Sequence, residues 1–253
     1  GGSKLGSSTS LAMPSVFELT ARSVRSVYGL FIHTPPFLDK DEWFPGAVRL
    51  EEHWSAIRDE ALRVLAGVDD VPRFHELLGD QAEISANDDL AWRMFVLRAY
   101  GQDQAVNMAR CPRTAELLAS MPEVTSATFS ILEGGKHIPA HRGPYRGILR
   151  YQLGLVIPKS DDGTPLAELR VADRKYMWRE GEGVLWDDTF EHEVWNRSDG
   201  YRIVFLLDVE RPRMPIIPRA MHRMIYGIVG RSPGMKRFLE QSEVPAVALR
   251  DRA

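Results

Sequence analysis

The period of the apolar positions changes about halfway along the chain. Between 46 and 67, Leu50, Trp54, Ile57, Ala61 and Leu65 recur at three- and four-residue steps, with Glu51, Glu52, Arg58 and Asp59 between them. That is the pattern of a helix with one buried face. A second helix is expected over 112–121, opened by Pro112 and closed before Pro122, because proline suits a first helical turn and ends a helix elsewhere. From Trp92 to Tyr100 the chain suits a buried strand, and periodicity alone leaves a helix open. After Val124 the texture becomes that of short strands: Val124 to Leu132, Gly147 to Ile157, Leu166 to Ala172, Gly183 to Trp186, Glu193 to Asn196 and Tyr201 to Val209. Asp161-Asp162-Gly163 reads as a hairpin turn. Short strands broken by turn residues point to an antiparallel sandwich or barrel.

The expected architecture is α+β and mainly β: supporting N-terminal helices packed on a barrel at about 124–210, in one domain over 13–212. Gly1 to Ala12 is Gly/Ser-rich and precedes Met13-Pro14; it reads as a cloning remnant, with Met13 the native start. Residues 213–253 are expected to form a helical tail. Met221, Met224, Ile225, Ile228 and Val229 alternate there with Arg219, Arg223 and Arg231. Such a segment fits a helix packed on the domain, with membrane-surface or partner contact through 213–231 as the alternative.

Composition narrows the function classes. The 253 residues carry a net charge of −3, with 44% apolar and 26% charged residues. That balance excludes wholesale disorder and argues against binding a nucleic-acid polymer, which calls for a basic excess. No run reaches the roughly 18–20 uninterrupted apolar residues of a membrane-spanning helix. The single cysteine, Cys111, forms no intrachain disulfide; a reducing, cytoplasmic location is expected.

The chemistry concentrates late in the chain. His141 opens His-Arg-Gly-Pro between two expected strands, and His192 sits in Asp-Asp-Thr-Phe-Glu-His-Glu between two others. Arg202 lies ten residues on, inside the apolar strand YRIVFLLDV, where a buried cation implies a buried anion. Together they fit a non-haem iron oxygenase: imidazole suits ferrous iron, and an arginine fork grips the far carboxylate of 2-oxoglutarate. The carboxylate expected two residues after the first histidine is absent, because that position is Gly143. Asp187, Asp188 and Glu193 either replace it or orient the imidazoles. Gly143 otherwise leaves a coordination position to water or chloride. Lys136, Arg142 and Arg146 form a basic cluster around His141, either a solvated rim or a clamp for a small anionic substrate. His33, His53, His75 and His222 have no ligand-like setting, His137 borders the site in sequence, and Trp178, Trp186 and Trp195 read as packing residues.

The stretches FSILEGGKHIPAHRGPYRGILRYQLGLVIP, WREGEGVLWDDTFEHEVWN and YRIVFLLDVERP resemble the aspartyl/asparaginyl β-hydroxylase family. VYGLF and HWSAIRDEAL extend the likeness toward Ser26. The resemblance implies a double-stranded β-helix (jelly-roll) fold and an Fe(II)- and 2-oxoglutarate-dependent hydroxylase. It places iron on His141 and His192, the far carboxylate of 2-oxoglutarate on Arg202 and Ser130, and Arg150 near its chelating end or the substrate. Members similar to the peptide hydroxylase also have His-x-Gly, whereas relatives that hydroxylate lipid A acyl chains generally have Asp at the Gly143 position. Two departures bear on the substrate: the family usually has His at Gln152, and the peptide hydroxylase has Arg at Ile148. These departures and the basic cluster favour a small anionic substrate over a peptide. The alternatives are a carrier-free halogenase using chloride at Gly143 and a non-catalytic binding module.

Overall fold

The computed structural model describes residues 16–245; the expectations for 1–12, for the Met13 start and for the tail over 246–253 lie outside the described residues. The strands are β1 (Phe37–Leu38), β2 (Trp92–Ala99), β3 (Gln102–Asp103), β4 (Val124–Leu132), β5 (His137–His141), β6 (Ile148–Val156), β7 (Ala167–Val171), β8 (Arg174–Met177), β9 (Gly183–Trp186), β10 (His192–Asn196) and β11 (Arg202–Glu210). They form a seven-stranded sheet in the order β1-β9-β6-β11-β4-β2-β3 and a four-stranded sheet in the order β5-β10-β7-β8. From β4 onward the chain passes back and forth between the sheets, and the paired strands are antiparallel. This is a jelly roll, the double-stranded β-helix expected.

Strand alternation divides the large sheet into two faces. Its outer face, with Phe129, Leu149, Tyr151, Leu153, Phe205 and Leu207, packs under Ile57, Ala61, Leu117 and Leu118 of the supporting helices. Its inner face, with Trp92, Leu132, Val184, Trp186, Val204 and Leu206, meets Ile138, Leu169, Val171 and Val194 of the small sheet. The central strand β11 is therefore covered on both faces, which is why its sequence is a nearly unbroken apolar run. An ionisable residue on its inner face is sealed in the barrel.

Several elements differ from expectation. The helix expected over 46–67 is two helices, Ala47–Glu52 and Trp54–Leu65, joined at His53. Trp92–Ala99 is a strand that pairs with β4, so the N-terminal half also contributes to the large sheet. The turn at Asp161-Asp162-Gly163 lies between β6 and β7, which belong to different sheets; it links layers rather than closing a hairpin. The unanticipated β5 and β8 are the two edges of the small sheet. Edge strands carry little apolar alternation, and β5 contains Pro139, which only an edge or a bulge accommodates. The tail contains the helices Ile216–Gly230 and Pro233–Gln241. Among the described residues no helix is long and apolar enough to cross a membrane.

Asn196 ties the two sheets together. Its side-chain amide at the end of β10 donates to the carbonyls of Leu132 (3.1 Å), Glu133 (3.1 Å) and Gly200 (2.8 Å). Those carbonyls end β4 and precede β11, so one buried side chain sets how the small sheet closes over the large one. Asn196→Ala is expected to lower stability by about 1–3 kcal/mol, the cost of leaving buried polar groups unpaired. The check is the urea midpoint, and an unchanged midpoint contradicts the role.

Candidate active site

His141 ends β5, His192 begins β10, and the two are cross-strand partners. Their ring centroids are 4.1 Å apart. The edge of Trp186 meets the His192 ring at 4.6 Å. Each Nδ1 faces the carbonyl two residues upstream, Pro139 O at 2.8 Å and Phe190 O at 2.9 Å. Nδ1–H therefore donates in both rings, and Nε2 keeps its lone pair for a metal. Burial holds both imidazoles neutral, pushing His141 down to about 4 and His192 well below its ordinary value. Among the described residues no group of three or more His, Cys, Asp or Glu is placed to hold an ion. The site is a two-imidazole site.

The acidic residues near His192 do not orient the rings; backbone carbonyls do. Asp187 accepts from Arg211 (2.6 Å), from Thr34 (3.3 Å) and from the Thr189 hydroxyl (2.6 Å), bracing the loop that leads to His192. Glu193 pairs with Arg170 and with His137, 3.3 Å away. Asp188 is different. A Cβ placed on Gly143 would lie 2.3–2.5 Å from the Asp188 carboxylate. A side chain at 143 would therefore clash with Asp188, which lies against the Gly143 backbone from the loop between β9 and β10. Asp188 is buried with one oxygen unpartnered, and burial pushes its pKa up to about 6 against the opposing effect of Arg150.

Arg150, Gln152 and Ile148 share the inner face of β6, as alternation requires. Arg150 forks onto Asp208 at 3.1 and 2.9 Å and reaches Asp188 at 3.3 Å. It is a bridge between carboxylates beside the histidines. Gln152 is buried and its Oε1 has no partner. Ile148 is buried too.

Arg202 is 1% exposed on β11. Its guanidinium lies over Trp178, 4.4 Å from the ring centroid, and its Nη1 reaches the Ser130 hydroxyl at 3.5 Å. That hydroxyl also accepts from Trp92 Nε1 at 3.0 Å. Among the described residues no carboxylate pairs with Arg202 and its Nε has no partner, and burial alone pushes its pKa down to about 9. Trp178 Nε1 and Trp186 Nε1 are also buried without partners. Buried polar groups are nearly always satisfied, so the lone buried cation with its unpartnered Nε fits an anionic ligand. The two tryptophans pack in the core as expected, and only the structure shows that their N–H groups lack partners among the described residues.

The basic cluster does not form a clamp. Lys136 is fully buried and donates to Ser85 O (2.8 Å), Asn87 (2.7 Å) and Asp88; it is a structural tie of the β4–β5 turn, not a substrate residue. Arg146 donates to Thr189 (2.9 Å) and Ile32 O (3.2 Å), fastening the loop after His141. Arg142 is half-exposed near Glu191, 3.8 Å away. His137 stacks on Trp195 at 4.9 Å. His222 is buried and bonds Tyr145 Oη at 2.6 Å.

Comparison with known proteins places this geometry among relatives. A family model described as aspartyl/asparaginyl beta-hydroxylase matches residues 51–212. The chain is 39% identical over 178 residues to an ornithine lipid ester-linked acyl 2-hydroxylase of Rhizobium tropici, covering 70% of this chain and 61% of that protein. It is 32% identical over 199 residues to the aspartyl/asparaginyl beta-hydroxylase of Homo sapiens, covering 76% of this chain and 24% of that protein. These relatives are named for a lipid-linked acyl chain and for aspartyl and asparaginyl residues, which overturns the small anionic molecule expected as substrate. The burial of Lys136 and the engagement of Arg146 agree with that correction.

Because Asp188 already fills the space beside Gly143, Gly143→Asp is expected to cost about 1–3 kcal/mol through overpacking. The double variant with Asp188→Gly is expected to lose less than the sum of the single losses. Thermal unfolding of the three variants checks both, and a Gly143→Asp protein as stable as the parent contradicts the arrangement.

Proposed function

The chain belongs to the aspartyl/asparaginyl β-hydroxylase family, and on that premise we propose that it is an Fe(II)- and 2-oxoglutarate-dependent hydroxylase acting on an acyl chain of a membrane lipid. One observation carries the cofactor assignment: a buried Arg202 with no carboxylate partner among the described residues shares a barrel with two adjacent neutral imidazoles, each fixed through Nδ1 by a backbone carbonyl. His141 and His192 would hold the iron. Arg202 and Ser130 would receive the far carboxylate of 2-oxoglutarate, with Trp178 against the guanidinium. When bound, iron and 2-oxoglutarate would let dioxygen act as the oxidant, one oxygen atom entering an unactivated C–H bond while 2-oxoglutarate is oxidised to succinate and carbon dioxide.

The protein's own part is binding, orientation and exclusion of water. Pro139 O and Phe190 O fix the tautomer and tilt of the two rings. Arg150 neutralises Asp188 and Asp208 beside them. The apolar inner face keeps the interior dry, which strengthens each charge–dipole contact. The acyl-chain substrate draws its support from the 39% identity to an acyl 2-hydroxylase and from Ile148, an apolar residue where the peptide hydroxylase resemblance calls for Arg. The chain spans 61% and 24% of these two relatives, so their substrates enter here only as part of the proposal.

His141→Ala and His192→Ala are each expected to abolish 2-oxoglutarate turnover and weaken iron binding by at least about 100-fold, the upper range for losing a ligand's supporting hydrogen bond. Iron titration with circular dichroism as the fold control checks this, and normal turnover in either variant overturns the metal assignment. For the substrate, the protein is incubated with iron, 2-oxoglutarate and either an ester-linked acyl lipid or an Asp/Asn-containing peptide. Mass spectrometry is expected to show one added oxygen on the acyl chain. Oxygen added to the peptide alone contradicts the substrate.

A further inference from the structure

The helix Ile216–Gly230 is amphipathic in the wrong sense for a helix that merely packs on a domain. Ile216, Ala220, Met224 and Ile228 recur every four residues and face outward; Ile216 is 85% and Ile228 65% exposed. The opposite stripe, Pro218, His222 and Tyr226, faces the protein. There Tyr28 Oη meets Pro218 O at 3.0 Å, His222 bonds Tyr145, and Tyr226 Oη meets Thr125 at 2.9 Å. The polar anchors thus point in and the large aliphatic side chains point out. A second apolar surface adjoins the first turn of this helix: Leu30, 73% exposed, and Phe31 follow the helix Val16–Gly29, whose Tyr28 packs with Met214 and Met221.

Charge complements the stripe. Arg219 and Arg223 are exposed along one side of it, and Arg231 follows its end. From Arg211 to Leu239 the chain has no Asp or Glu. An apolar strip flanked by arginines and free of acidic residues is the signature of a helix lying in the headgroup region of an anionic bilayer.

The face is fastened to the active site. Tyr145, four residues after His141, bonds both Tyr28 (3.0 Å) and His222 (2.6 Å). Arg25 donates to Gly143 O at 3.1 Å. The helices that carry the exposed strip therefore hold the loop that follows the first candidate ligand.

We infer that this face, the outer stripe of Ile216–Gly230 with Leu30 and Phe31, docks the protein on the surface of an anionic lipid bilayer. The inference deepens the acyl-chain reading and rests on it for its purpose, since docking would present the barrel to its substrate's membrane.

The test is co-sedimentation of the full chain with phosphatidylcholine vesicles, with and without about 30% phosphatidylglycerol, at low and high salt. Binding is expected to the anionic vesicles only and to weaken at high salt. Arg219→Gln with Arg223→Gln is expected to weaken it about thirtyfold, from two charges near an anionic surface, and Ile216→Asp with Met224→Asp to abolish it. These side chains are exposed, so all variants keep the parent's circular dichroism. No vesicle binding by the parent, binding that survives both pairs of changes, or a dimer in sedimentation velocity that the Ile216→Asp and Met224→Asp pair dissolves each overturns the inference. Hydroxylation of detergent-dispersed lipid separates the two claims. Hydroxylation without vesicle binding defeats docking and leaves the substrate proposal standing. Docking without acyl hydroxylation does the reverse.

Discussion

Arg202 lies on the strand buried on both faces, 1% exposed, with no carboxylate opposite it. Removing a full charge from water costs several kcal/mol even after relaxation. A cation over the Trp178 face recovers about 2 kcal/mol at best, and a 3.5 Å approach to Ser130 adds little. The folded barrel therefore carries a standing cost that a bound carboxylate would offset. Two buried donors, Trp178 Nε1 and Trp186 Nε1, also have no partner among the described residues. On the proposed function, a bound carboxylate supplies the partner that Arg202 lacks.

The opposite policy governs the charges around that interior. Arg150 bridges Asp208 and Asp188, Arg211 and Arg146 converge on Asp187, and Lys136 is enclosed by Ser85, Asn87 and Asp88. Lys136 and Arg211 are buried, Arg150 and Arg146 are partly buried, and each has an acidic partner. The contrast gives Arg202 its meaning: this chain pairs its other buried cations within itself. Asp188 occupying the space beside Gly143 belongs to the same economy of volume, since glycine at 143 is what lets that carboxylate lie against the backbone.

Much of this was legible in the sequence, for physical reasons. β9 matches its apolar run end to end and β11 nearly so, because strands covered on both faces are largely apolar, and β4 matches end to end through its β-branched and aromatic residues. His141, His192 and Arg202 stood out because ionisable groups at apolar strands are costly and need a purpose. The edge strands β5 and β8 were not legible, since an edge with one wet side needs no alternation. Nor was the fate of the basic cluster: Lys136 and Arg142 look alike in sequence, and only tertiary contacts separate a sealed ammonium from a half-exposed guanidinium. Trp178 and Trp186 look like core, and they are core, but their N–H groups are unpaired. The apolar period of the tail was visible; that its apolar side faces outward was not.

The measurement that bears most directly on this account is calorimetric titration of 2-oxoglutarate into the iron-loaded parent and into Arg202→Met, with denaturant unfolding of both metal-free proteins alongside. Breaking a buried charge pair costs about 3–5 kcal/mol, so Arg202→Met is expected to weaken 2-oxoglutarate binding by about two to four decades. The metal-free variant is expected to be at least as stable as the parent, because it no longer buries an unpaired cation. Equal affinity in the two proteins would contradict the account, and so would a large loss of stability in metal-free Arg202→Met.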